Sequence, residues 1–179
     1  TLIREKYQSD SIRIHITGFA KLVGDLIDGA KLVGIFFLVA FVITAVMLFI
    51  YSRCGWLTFA SLLCSTVAVV WQMGLLNLMG LGLDPYSMLV PFLVFAIGIS
   101  HGIQIINAIA IEQSDGATAY KASRNAFRGL YVAGMTALIS DGIGFATLWM
   151  IDIEAIQELA LAASLGIAVI VLTNLVLLP

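Results

Sequence analysis

The chain has 179 residues, of which 61% are hydrophobic and 11% are charged, and its formal net charge is −2. Soluble globular domains are about 45–50% apolar and about 25% charged, so this composition excludes a water-soluble domain and indicates that lipid solvates most of the chain. The near-neutral charge gives no electrostatic basis for binding nucleic acid. We interpret the two cysteines, Cys54 and Cys64, as small apolar fillers, and we predict no enzyme activity, no cofactor and no metal site.

The first 30 residues are more polar than the rest. Ile12, Ile14 and Ile16 alternate with polar residues, which is the period of a half-buried strand. One strand is not stable alone, so we expect it to be the last strand of an extracytoplasmic domain whose body lies outside this sequence. Apolar residues at helical spacing in residues 19–30 predict an amphipathic lead-in helix near the membrane surface.

Residues 31–179 predict an all-α membrane protein, a bundle of five transmembrane helices. Apolar stretches of about twenty residues recur here, and that length crosses a hydrocarbon core of about 30 Å. The predicted spans are residues 32–52, 56–76, 86–111, 130–150 and 159–178. Strands are excluded in such stretches because an open strand leaves backbone groups without partners in lipid.

Charges in the short loops predict the orientation of the bundle. The basic residues are Arg53, Lys121, Arg124 and Arg128, and the acids of the other loops are Asp84, Asp152, Glu154 and Glu158. We predict that the basic loops face the cytoplasm and that residues 1–30 are extracytoplasmic.

The loop at residues 112–129 also has a helical pattern. Ala119, Ala122 and Ala126 share one face and the cations occupy others, which predicts an interfacial helix on the cytoplasmic leaflet. The alternative is a topology anchor with no further role.

Two ionisable residues lie near the middle of neighbouring spans, where a charge costs at least about 2.5–3.5 kcal/mol. They are His101 in the third span and Asp141 in the fourth. Because the two spans are antiparallel neighbours, we predict that these residues lie at similar depth and form a proton relay, since histidine titrates near neutral pH. The alternative is a hydrogen-bonded pair that only holds the two helices together.

Polar and small residues flank this pair along both spans. The predicted polar support consists of Ser100, Gln104, Ser140 and Thr136, which also suit simple helix contacts. The glycines that we predict to permit close helix packing are Gly98, Gly102 and Gly144.

The order of these features resembles one half of a resistance–nodulation–division (RND) superfamily exporter of the MMPL-like branch, whose five-span unit is similar to the sterol-sensing domain. The matching segments are Thr17-Gly18, Gly80 to Pro85, Gly98 to Gln104, Thr136 to Phe145 and Leu177 to Pro179. The resemblance implies proton-motive-force-driven export of hydrophobic or amphiphilic, lipid-like molecules across the plasma membrane, here a bacterial inner membrane. It also implies an extracytoplasmic domain and a second helical half in the rest of the chain, with oligomerisation or envelope partner proteins.

The chain departs from the family pattern at the relay itself. The third span of the family usually carries an acidic residue followed by an aromatic one, where this chain has Ser100 and His101. The acid stands instead in the fourth span, at Asp141, as in some sterol-sensing-domain members. Two alternatives to the exporter therefore remain: a sterol-sensing-like, lipid-binding regulatory module without transport, and an accessory subunit of protein export.

Overall fold

A computed structural model of the protein describes residues 6–7, 9, 17–82 and 87–174. The strand predicted around residues 12–16 and the acid at position 84 lie outside the described residues, as do the last residues of the fifth predicted span.

The described part of the chain folds into five long helices. They are α1 (Phe19–Ser52), α2 (Gly55–Leu78), α3 (Val90–Ser114), α4 (Ala119–Thr147) and α5 (Glu154–Leu172), with 3-10 turns at Ser87–Leu89 and Leu148–Met150. All five helices are long and apolar enough to cross a membrane. The predicted fold class, a bundle of five membrane-spanning helices, is confirmed.

Two predicted helix boundaries are absent from the structure. The lead-in helix and the first span form one helix, α1, of 34 residues. It is about 50 Å long, well beyond the core thickness of about 30 Å. The first turns of α1 are polar enough to extend out of the hydrocarbon core. Their charges form ion pairs at helical spacing, Lys21 with Asp25 and Lys31 with Asp28. Likewise, the predicted interfacial helix is not a separate element. Its residues belong to the end of α3 and the first turns of α4, and only residues 115–118 lie between these two helices.

α3 lies at the centre of the bundle, where it contacts the other four helices, and α1 lies at the periphery against α2 and α3. On one side of α3, Phe95 and Ile99 pack against α1 and α2, and the Phe37 and Phe95 rings lie 5.3 Å apart. On another side, Val90 and Val94 join the core formed with α4 and α5. Different faces of α3 therefore contact different helices: α1 and α2 on one side, α4 and α5 on another.

α4 packs along a ridge of small and aliphatic residues spaced four apart. The ridge consists of Ala122, Ala126, Leu130, Gly134, Leu138 and Gly142, all buried or half-buried. A ridge with this spacing is inclined to the helix axis, so the face of α4 that meets the bundle rotates along its length. The residues beside the ridge, including Asp141, consequently lie at the edge of the bundle.

The loop charges lie at the two ends of the bundle. We call the end with Arg53 and residues 115–128 the basic end, and the end with Asp152, Glu154 and Glu158 the acidic end. In a variant without native cysteines, we expect a membrane-impermeant maleimide to label Asp152→Cys, but not Lys121→Cys, in intact cells, because short basic loops stay in the cytoplasm. Permeabilised cells provide the control, since both cysteines should then react. Labelling of Lys121→Cys alone in intact cells would reverse the orientation.

Candidate functional site

His101 lies on α3, and Asp141 lies on the adjacent helix α4. The His101 side chain is buried, with 8% of its surface exposed. Asp141 is exposed at the edge of the bundle, and it lies close enough for its charge to act on the His101 imidazole. Within residues 17–82 and 87–174, no hydrogen bond or ion pair joins the two side chains directly.

A polar face surrounds this pair on the outside of the bundle. Ser100 and Gln104 on α3 are exposed, as are Thr136 and Ser140 on α4. Thr136 donates its hydroxyl to the carbonyl of Val132 at 2.8 Å, which satisfies its proton within its own helix. Polar groups facing hydrocarbon are costly, so this face is suited to a polar neighbour and not to lipid.

Asn107 continues the polar face toward the basic end. Its Oδ1 accepts a hydrogen bond from the Tyr51 hydroxyl at 3.2 Å. This bond joins the end of α1 to α3 and anchors a tyrosine near the membrane boundary, where tyrosine is commonly found.

The three predicted packing glycines have different environments. Gly98 is tightly enclosed, since an added Cβ would lie 2.9 Å from Ser65 Oγ and 3.3 Å from Asn174 Nδ2. Gly102 is buried one turn further along α3. Gly144 is exposed, and an added Cβ there would meet nothing within 4 Å among the described residues. A packing role for Gly144 therefore requires a neighbour outside this bundle.

Sequence reasoning missed a second set of polar residues, on the buried side of α3. Ser61, Ser65 and Gln72 of α2, together with Asn174, are fully buried. Gln72 Nε2 donates to the Ala162 carbonyl at 3.0 Å, and Asn174 Nδ2 donates to the Gly98 carbonyl at 2.8 Å. These bonds connect α5 and the residues that follow it to α2 and α3.

The signal for this buried set was present in the sequence. Thr58, Ser61, Ser65 and Gln72 recur at intervals of three, four and seven residues, so they share one face of the second span. Polar residues in membrane helices face protein more often than lipid. The stripe therefore indicates the buried face of α2.

In the described ranges, no three His, Cys, Asp or Glu side chains come together. The polar face thus offers one carboxylate, flanked by hydroxyl and amide groups, and the buried imidazole of His101 lies on the adjacent helix. Chemically, this set can hold and exchange a proton.

The chain matches a family described as "Sterol-sensing domain of SREBP cleavage-activation" over residues 49–177. It is also similar to a membrane protein of Methanocaldococcus jannaschii, with 27% identity over 134 residues. The aligned region is 75% of this chain and 34% of that relative, so the chain spans about a third of the relative's length. No solved structure matches the chain significantly. The family match extends from the end of α1 through α5, over most of the five-helix bundle, and this multi-pass membrane chain belongs to the sterol-sensing domain family.

Proposed function

We propose that this bundle is one half of a proton-driven exporter of the RND superfamily, in its MMPL-like branch, that moves hydrophobic or amphiphilic, lipid-like molecules. The observation that carries the proposal is the position of Asp141, an exposed mid-span carboxylate within electrostatic range of His101. A charge at this depth costs at least about 2.5–3.5 kcal/mol in lipid, so an ionisable residue there indicates a functional site.

The exposed polar face supports a second helical half as the neighbour of α3 and α4. A second bundle would cover Ser100, Gln104 and Ser140 and would enclose the relay in protein. The relative extends well beyond the aligned region, which is 34% of its length, so a longer chain with further domains is consistent with the comparison. Residues 1–30 would then lead from an extracytoplasmic domain into the bundle.

In the proposed cycle, Asp141 binds a proton from the extracytoplasmic side and releases it to the cytoplasm. His101 stabilises the carboxylate when it is charged, and the hydroxyls of Ser140 and Ser100 offer hydrogen bonds to the transferred proton. Proton binding removes the charge from the polar face, which changes its attraction for the second half. That change would couple proton movement to a rearrangement of the helices that carry substrate.

We expect Asp141→Asn in the full-length protein to reduce proton-driven export to the rate of protein-free vesicles. Asparagine keeps the size of the side chain but cannot release a proton. The measurement is pH-gradient-driven movement of the hydrophobic dye N-phenylnaphthylamine in proteoliposomes, together with proton flux reported by a trapped pH dye. Asp152→Asn, an acid at the acidic end, is the matched control and should keep both activities. Full export and proton flux by Asp141→Asn would refute the relay.

The second candidate is a lipid-binding regulator without transport, which the family match favours. Two apolar cavities on the outside of the bundle suit a lipid. One of about 520 Å³ lies between the end of α4 and α5 beside Trp149 and Leu161, and another of about 260 Å³ lies between α1, α2 and α3 beside Phe37 and Met73. Under this alternative, a photoreactive sterol should label these cavities equally in the wild type and in Asp141→Asn, and neither protein should carry protons.

A further inference from the structure

The first three turns of α4 carry a face that neither the bundle nor the proposed relay uses. α4 has 29 residues and is therefore about 44 Å long at about 1.5 Å per residue. The hydrocarbon core takes only about 20 of these residues. When the apolar part from residue 129 onward crosses the core, residues 119–128 lie at the level of the lipid headgroups at the basic end.

Three cations share one side of this segment. Lys121, Arg124 and Arg128 are spaced three and four apart, which places them within an arc of about 60°. All three are exposed, and none forms an ion pair within the described ranges. The opposite side, with Ala122 and Ala126, packs against α3. The cations therefore point away from the bundle.

Aromatic rings lie next to the cations on this outward side. Tyr120, Ser123, Arg124 and Phe127 line a shallow cleft of about 190 Å³. Tyr120 is 80% exposed, and the Phe127 ring lies 5.3 Å from the ring of Tyr131, one turn closer to the membrane core. The face thus combines a cationic region with a ring surface that leads toward the acyl chains.

The nearest acids do not neutralise this face. Glu112 of α3 accepts a hydrogen bond from Asn125 Nδ2 at 2.7 Å, and Asn125 lies nearer the α3-facing side of α4 than the cations do. Asp115, in the loop before α4, is exposed and forms no ion pair in the described part of the chain. The outward face therefore carries three cations at headgroup level that form no ion pair with an acid among the described residues.

We propose that Lys121, Arg124 and Arg128, with the rings of Tyr120 and Phe127, bind an anionic phospholipid. The guanidinium groups match the two free oxygens of a phosphodiester and can bind them in a bidentate manner. The rings pack against the glycerol and the first part of an acyl chain, which a soluble phosphate lacks. This assignment is independent of transport, since it uses no residue of the polar face.

The test compares lipids around the full-length protein in phosphatidylcholine vesicles. Spin-labelled phosphatidylglycerol and spin-labelled phosphatidylcholine report, by electron paramagnetic resonance, the fraction of each lipid immobilised by the protein. Each Lys or Arg near an anionic lipid strengthens binding about fivefold. Because three cations contribute, we expect phosphatidylglycerol to be preferred by more than about 25-fold at one site, and the preference to be lost in the triple variant K121Q/R124Q/R128Q.

Arg53→Gln is the matched control, because it removes a cation at the same end of the bundle, and it should keep the preference. Arg124→Gln alone should weaken the preference about fivefold, and Arg124→Lys should weaken it less. These single variants test the proposal even if the triple variant fails to fold. Inorganic phosphate at 10 mM should not displace the lipid. An unchanged preference in the triple and Arg124→Gln variants would overturn the proposal. Displacement of the lipid by phosphate would show that the ligand is a soluble anion. A disulfide dimer of the Arg124→Cys variant, in the absence of any lipid preference, would show that this face binds a second copy of the chain.

Discussion

Gly166→Ala is expected to destabilise the bundle by about 1–3 kcal/mol, the usual cost of overpacking a core. The glycine is buried in α5, and an added Cβ would overlap Val94 Cγ2 and lie 3.0 Å from Gln72 Nε2. Neither neighbour can move aside easily. Val94 is fully buried in the core, and Gln72 is held by its hydrogen bond to the Ala162 carbonyl. Thermal unfolding of the purified full-length protein in detergent measures the change.

Gly74→Ala is the matched control, because it makes the same substitution in α2, a neighbouring transmembrane helix. Among the described residues, an added Cβ at Gly74 meets nothing within 4 Å, and alanine favours a helix over glycine by about 1 kcal/mol. We therefore expect an unchanged or slightly raised unfolding temperature for Gly74→Ala and a lowered one for Gly166→Ala. Equal effects of the two substitutions would contradict the close contact of α5 with α2 and α3.

The second large effect is expected when His101→Gln, Asp141→Asn and the double variant are compared in the transport assay. If the two residues act as one proton-exchanging unit, each single variant loses most of the proton-driven export. The double variant is then no worse than the worse single. We expect this outcome because the proposed relay passes one proton between the two side chains, so that loss of either side chain interrupts it.

Two other results would each identify a different arrangement. Losses that multiply in the double variant, with unchanged stability, would show that the residues act independently. A lowered unfolding temperature in both single variants that partly recovers in the double variant would show that the pair only joins the helices, because no charge is then left without its partner.

The sequence by itself determined the number of spans and the class of fold. In lipid, each spanning segment must satisfy its own backbone hydrogen bonds, so segment length and hydropathy are enough to place α1 to α5. A short loop makes α3 and α4 antiparallel neighbours, and this places His101 and Asp141 on adjacent helices.

Apart from α2, whose polar stripe indicates its buried face, only the tertiary structure decided which side of each helix faces protein. Lipid tails and a protein interior are both apolar, so a span that is apolar all round carries little periodic signal of its buried face. For this reason the sequence did not reveal that Asp141 lies at the edge of the bundle, or that Gly166 and not Gly144 lies at a close contact. These features depend on how the helices pack against one another, which the length and hydropathy of a span do not encode.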